Sequence, residues 1–117
     1  MPRKVRAALI AGSMYEPLYD ALEEFSATRG TVVEVGYRGD HPALNAHLAA
    51  STDPGYDLIS THTKYAPSQA HFLAPLRAII AEEELADFYP NVVKLATVDG
   101  ELLGIPRNID VRLLHYR

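Results

Sequence analysis

Cysteine is absent from this 117-residue chain, which removes disulfides, thiolate metal sites and cysteine nucleophiles from consideration. Basic residues form no block beyond Arg3, Lys4 and Arg6, and the formal net charge is −4. A nucleic-acid binder needs a basic face to engage phosphates, so that class is set aside and the short basic start reads as a solvated chain end. No apolar run approaches the roughly 20 residues of a membrane span. Residues 7–11 are too few for the core of a secretory signal, and no small-residue cleavage site follows them. The sequence also lacks G-x-S-x-G, the P-loop, G-x-G-x-x-G and H-E-x-x-H. His41 and His47 are six apart and His62 and His71 nine apart, spacings that put no two imidazoles on one helical face. Neither a metal site nor a cofactor is expected. No two carboxylates stand out as an acid/base couple, so catalysis is not expected either.

What is present fits one folded domain. Hydrophobic residues make up 48% and charged residues 22%, near the values of an ordinary soluble globular chain, and the length suffices for a core. Disorder would need lower hydrophobicity and higher net charge.

Residues 4–11 form a short apolar run ended by Gly12, which suggests a buried strand. Ser13 and Glu16 fit a capping box, Pro17 is tolerated in a first helical turn, and Leu18, Ala21, Leu22 and Phe25 line one helix face. Gly30 predicts the helix stop. Residues 31–37 are β-branched and aromatic, hence a second strand. Gly39, Asp40, His41 and Pro42 lead into a helix whose face carries Leu44, Leu48 and Ser51, with His47 beside it. Asp53, Pro54 and Gly55 make a turn, and residues 56–60 a third strand. Alternating strand and helix implies a parallel sheet with helical crossovers.

The second half is less regular. Residues 61–67 read as a loop and 68–72 as a helical turn, and Pro75 interrupts the apolar run 73–80. Glu82, Glu83 and Glu84 put negative charge at a helix start, where the dipole favours it, and Pro90 splits the following stretch into two short helices. Asp99 and Gly100 signal a hairpin turn, and residues 110–116 a last strand. The chain stops there in mid-strand, an ending that suggests a truncated product.

Ligands in open parallel α/β sheets bind outside the carboxyl ends of the strands. Three segments should gather there: Ser13, Met14 and Tyr15; then Tyr37, Arg38, Gly39 and Asp40; then Thr61, His62, Thr63, Lys64 and Tyr65. They supply hydroxyls, aromatic faces and charges of both signs, the mixture that sugars require. Each also has a plainer reading. Tyr15 and Tyr37 can cover the core rim, Ser13 can cap a helix, and Thr61 and Thr63 can organise their loop. His62 and Lys64 can be solvated. A competing enzyme reading is a small stand-alone α/β hydrolase that uses His62 with Ser60 or Asp57, with an acid behind the histidine. A receiver-like signalling domain would need an acidic pocket after the first strand, which Ala11, Gly12 and Ser13 do not offer.

The run Tyr56-Asp57-Leu58-Ile59-Ser60-Thr61-His62 resembles the Tyr-Asp-Val strand and ligand loop of the family 1 extracellular solute-binding proteins of ABC importers. Asp99-Gly100-Glu101-Leu102-Leu103-Gly104-Ile105-Pro106 resembles that family's Gly-Ile-Pro hairpin, and Leu114-His115-Tyr116-Arg117 the end of its next strand. The acidic, proline-broken helical stretch 82–98 also has a counterpart there. The similarity spans nearly the whole chain but only the front part of a family member.

The resemblance implies an α/β fold: a periplasmic-binding-protein-like (type II) lobe with a central, mostly parallel sheet flanked by helices, incomplete without its second lobe. Residues 1–117 would be most of that first lobe. It further implies a non-catalytic protein that captures a small polar solute, a carbohydrate above all, for import. The protein would be extracellular or periplasmic and lipid-anchored in some relatives, with ABC permease subunits as partners. By family pattern Arg107, Asn108 and Asp110 also face the cleft. Thr61, His62, Thr63 and Lys64 stand where maltodextrin binders carry a Trp and an acidic residue, which argues against a maltose-like ligand. A lone lobe offers half a cleft, so affinity should be weak, and its uncovered apolar surface and sheet edge invite homodimerisation or strand exchange.

Overall fold

The computed structural model describes residues 3–50 and 55–107. They fall into two compact units, Met1–Tyr65 and Ala66–Arg117.

In the first unit the order is β1 (Arg3–Ile10), α1 (Glu16–Arg29), β2 (Thr31–Gly39), α2 (His41–Ala49) and β3 (Leu58–Ile59). The strands lie in the order β2-β1-β3, and both pairings are parallel. The alternation of strand and helix therefore gives the expected sheet. β1 takes the centre because its second half is apolar throughout. Ala7, Ala8, Leu9 and Ile10 are all buried, as a strand covered on both faces must be. Ala7 and Leu9 pack with Tyr19 of α1, joined by Tyr15, Leu22, Val33 and Val35. Ala8 and Ile10 alternate to the other face. There α2 lies against β1 and β2 and buries Leu44 and Leu48.

The start of α1 corrects one expectation. A short 3-10 turn, Ser13–Tyr15, precedes the helix, closed by the Tyr15 N–H donating to Gly12 O at 3.0 Å. Gly12 sits at φ 140°, open to glycine, and sends the chain into that turn. The α-helix thus begins at Glu16 with Tyr15 as its N-cap, and the Ser13 hydroxyl makes no capping bond. Gly30 ends α1 in the left-handed region at φ 64°, as expected.

β2 runs two residues further than expected and absorbs Arg38 and Gly39. Its register with β1 also slips: Ala7 pairs with Val35, but Ala8 pairs with Tyr37. Gly36 is thus the extra residue of a β-bulge, and a bulge re-aims the side chains that follow it. A Cβ at Gly36 would come to 3.1 Å from the Tyr56 ring and 3.3 Å from the Arg6 side chain, so the close approach is easiest with glycine.

β3 is shorter than the expected strand 56–60, but its flanks follow β1. Asp57 N–H donates to Arg6 O at 2.8 Å and Ser60 N–H to Ala8 O at 2.9 Å. The Asp57 carboxylate also accepts from the Arg6 N–H at 2.9 Å. Ser51, Asp53 and Pro54, expected to end the α2 face and form a turn, lie outside the described residues.

The second unit is built from short pieces. α3 (Ala66–Gln69) runs into a 3-10 turn, Ala70–Phe72; then come α4 (Glu82–Leu85), α5 (Pro90–Leu95) and a hairpin of β4 (Thr97–Val98) and β5 (Glu101–Leu102). Glu84 caps α4 by accepting from the Ala81 N–H at 3.0 Å. Pro90 opens α5, where its missing N–H costs nothing. Asp99 and Gly100 both take positive φ, as the two-residue turn between β4 and β5 requires. Leu85 and Leu102 are buried in this unit. The strand expected at 110–116 lies outside the described residues. Among the described residues no helix is long and apolar enough to cross a membrane.

Candidate functional site

Parallel strands send their trailing segments to one edge of the sheet, and the contacts of the first unit show the three ends meeting there. Ala11 N–H donates to Gly39 O at 2.9 Å, which ties the end of β1 to the end of β2. Asp40 then starts α2: its backbone is extended, and its carboxylate accepts from the Ala43 N–H at 2.9 Å. With Asp40 as N-cap, His41 is the first residue of the helix. Its ring meets the His62 ring edge-on, centroids 5.2 Å apart, which joins the end of β2 to the loop after β3.

The loop after β3 is organised around His62. The Lys64 N–H donates to His62 Nδ1 at 3.0 Å and the Tyr65 N–H to His62 O at 2.8 Å. Because Nδ1 accepts, Nε2 carries the proton of the neutral ring and faces outward as a donor. His62, Thr63 and Lys64 are exposed, and Thr61 and Tyr65 are half-buried. The Lys64 ammonium lies 5.5 Å from the Tyr65 ring centroid.

The segment after β1 is more divided. Ser13 and Met14 are exposed, Met14 at 68%. Tyr15 is half-buried and packs on the core beside Tyr19, which is the rim-covering role.

Tyr37 and Arg38 are separated by the sheet. The bulge at Gly36 sends Tyr37 to the α2 face, where its ring stacks on His47 at 3.9 Å and 4°. His47 Nε2 and the Tyr56 hydroxyl share a hydrogen bond of 2.9 Å, and the Arg6 guanidinium lies 4.8 Å over the Tyr56 ring. Arg38 goes to the α1 face and lies 3.7 Å over the Tyr19 ring, whose hydroxyl donates to Ile10 O at 2.5 Å. A shallow groove of about 390 Å³ runs between α1 and β2 beside Arg38, lined by Leu22, Val33 and Val35 among others. The two residues therefore flank the strand ends rather than meet there. Arg107 is exposed in the second unit, and Asn108 and Asp110 lie outside the described residues.

His41 is the residue that sequence reasoning missed. The signal was available: Asp40 before His41 and Pro42 is a cap followed by an early-turn proline, which fixes His41 at the sheet edge.

The competing hydrolase arrangement is not assembled. Ser60 is 9% exposed, and among the described residues no hydrogen bond joins it to His62. His62 gives its Nδ1 to the Lys64 N–H instead. The Asp57 carboxylate accepts from the Arg6 N–H, and among the described residues no hydrogen bond joins it to His62.

No protein-family model matches the sequence, and no curated protein matches it. Solved structures do match the fold. The maltotriose-binding protein of Thermus thermophilus with bound maltotriose superposes with a TM-score of 0.72 at 22% identity, over 87% of this chain and 28% of that one. A family 1 extracellular solute-binding protein from Alicyclobacillus acidocaldarius gives 0.73 at 20% identity, over 91% and 28%. A de novo designed esterase improved by directed evolution gives 0.73 at 24% identity, again over 91% and 28%. The chain therefore has the α/β fold of part of a type II periplasmic-binding-protein lobe, with a parallel sheet flanked by helices. It spans less than a third of each matched chain.

Proposed function

We propose that these 117 residues are most of the first lobe of a solute-binding protein, which holds a small polar solute, chiefly a carbohydrate, at the carboxyl ends of β1, β2 and β3 for delivery to an ABC permease. One observation carries the reading. The ends of three parallel strands converge, through the Ala11–Gly39 bond and the His41–His62 contact, on an exposed rim of hydroxyls, imidazoles and aromatic rings. Rims of this composition suit sugars, because ring faces cover C–H surface while polar groups meet the hydroxyls. The fold shared with solute-binding proteins, one of them holding maltotriose, supports it. The place of the protein would be extracellular or periplasmic.

A single lobe contacts a ligand from one side, so affinity on the order of millimolar is expected from this chain alone. The test is a titration of the 15N-labelled chain with glucose, maltose, a pentose and a polyol, followed by amide shifts. Saturable shifts at residues 12–15, 40–41 and 61–65 are expected for at least one of them. Absence of any saturable shift in these segments, with all four, would remove the carbohydrate reading.

A further inference from the structure

The segments after β2 and β3 set the exposed Lys64 ammonium and the His62 Nε2–H beside no carboxylate but the helix-capping Asp40, and from that we infer that the solute the rim selects carries an anionic group, a carboxylate or a phosphate, beside its hydroxyls. The inference rests on the binding role proposed above and narrows it.

The accounting runs through the segments after β2 and β3. Asp40 is the one carboxylate in residues 39–43 and 60–65, and it is committed to the Ala43 N–H. Neither segment carries an exposed amide side chain. On the donor side, His62 presents Nε2–H, its tautomer set by the Lys64 N–H at Nδ1. Among the described residues no acceptor is within reach of that nitrogen. Lys64 adds an exposed ammonium with three donors, and among the described residues no carboxylate pairs with it. The Lys64 ammonium lies 5.5 Å from the Tyr65 ring centroid, in the same loop as His62.

A neutral sugar meets such a set poorly. Each hydroxyl can accept, but each also brings a proton that needs an acceptor, and neither the Lys64 ammonium nor the His62 Nε2–H supplies one. A carboxylate or phosphate brings acceptors alone and answers both the charge of Lys64 and the Nε2–H of His62. The Tyr65 ring remains for the C–H face of the same ligand.

The experiment titrates the 15N-labelled chain with sodium glucuronate, glucose 6-phosphate, glucose and sodium sulfate, at fixed ionic strength. Glucuronate or glucose 6-phosphate should saturate the shifts of residues 61–65 at about tenfold lower concentration than glucose. Whichever of the two is tighter names the source of the anion. Lys64→Gln should erase most of that preference, read as the ratio of the half-saturating concentrations of glucose and of the sugar acid or phosphate within the same variant. Glucose binding as tightly as glucuronate and glucose 6-phosphate would overturn the inference and leave the sugar-binding role standing. Sulfate matching the sugar acids would also overturn it, since the rim would then hold an adventitious ion only. Shifts from none of the four would overturn both.

Discussion

Deleting Gly36 should be nearly harmless, although it removes a residue from inside a nine-residue strand. In an ordinary strand one deletion flips every later side chain to the opposite face. For β2 that would pull Tyr37 off His47, a stack worth about 0.5–1.5 kcal/mol. It would also pull Arg38 off Tyr19, worth about 0.5–1 kcal/mol at an exposed site. The sum, about 1–2.5 kcal/mol, corresponds to about 4–10 °C in Tm for a chain of this size. The register says otherwise. Val35 already faces Ala7 and Tyr37 already faces Ala8, with Gly36 as the surplus residue between them. Without Gly36 the strand becomes regular and both side chains keep their faces, so the loss should stay within about 0.5 kcal/mol. Gly36→Val is the informative contrast. Its side chain would press on the Tyr56 ring and the Arg6 side chain, each within 3.5 Å of a Cβ at this position, at a cost of about 1–2 kcal/mol. Urea unfolding followed by far-UV circular dichroism gives the stabilities, and cross-peaks between the Tyr37 and His47 rings report the faces. A deletion variant that loses those cross-peaks and about 2 kcal/mol would refute the bulge as the device that sorts Tyr37 from Arg38.

Two further outcomes follow from contacts in the same unit. Tyr19→Phe removes the buried hydroxyl that donates to Ile10 O and should cost about 1–2 kcal/mol by urea unfolding; a neutral result would mean that this carbonyl is served by water. The Lys4 ammonium hydrogen-bonds and attracts the exposed Glu34 carboxylate at 2.6 Å, and so holds that carboxyl below its ordinary 4.5. A folded value below the unfolded one makes the pair's contribution present above pH 4.5 and lost as pH falls through the lowered value. Lys4→Gln should raise the Glu34 value in a carboxyl NMR titration and flatten this part of the acid limb; an unchanged titration would show that the pair does not form in solution.

Parallel pairing and the α2 face were legible in residues 3–49, because each rests on a repeating pattern; the face expected for α1 was not, since Tyr19 is its buried residue while Ala21 and Phe25 are exposed. The β1 run is apolar on both faces, the α2 stripe is Leu44 and Leu48, and Gly30 stops α1. What escaped was set by single residues acting at a distance. The burial pattern of β2 alternates without a break, yet the faces cross at Gly36, so counting by twos puts Tyr37 with Val33 and Val35 when it belongs with His47. An isolated glycine within a strand was the available warning. The Ser13 cap failed for a similar reason: Ser13 and Glu16 have the spacing of a capping box, but the turn launched at Gly12 uses up those residues before the helix begins. His62 was legible as a loop residue, while its role as the acceptor that shapes the loop depends on a backbone N–H that no side-chain pattern encodes.

A designed esterase and a maltotriose-binding protein both superpose on this chain at nearly equal TM-scores. The fold therefore cannot choose between capture and catalysis, and the choice falls to the side chains at the strand ends. A hydrolytic arrangement needs a nucleophile, a base within hydrogen-bond reach and a group that orients the base. Here the three candidates are each engaged differently. Ser60 is tucked beneath the rim, His62 spends Nδ1 on its own loop, and Asp57 is bound to the backbone of Arg6 at the opposite end of the strand. A histidine that accepts from a backbone N–H two residues on is held in one tautomer, with Nε2 a fixed donor rather than a base. The same bond that occupies Nδ1 leaves Nε2–H for an acceptor-bearing ligand, which is consistent with the capture role proposed above.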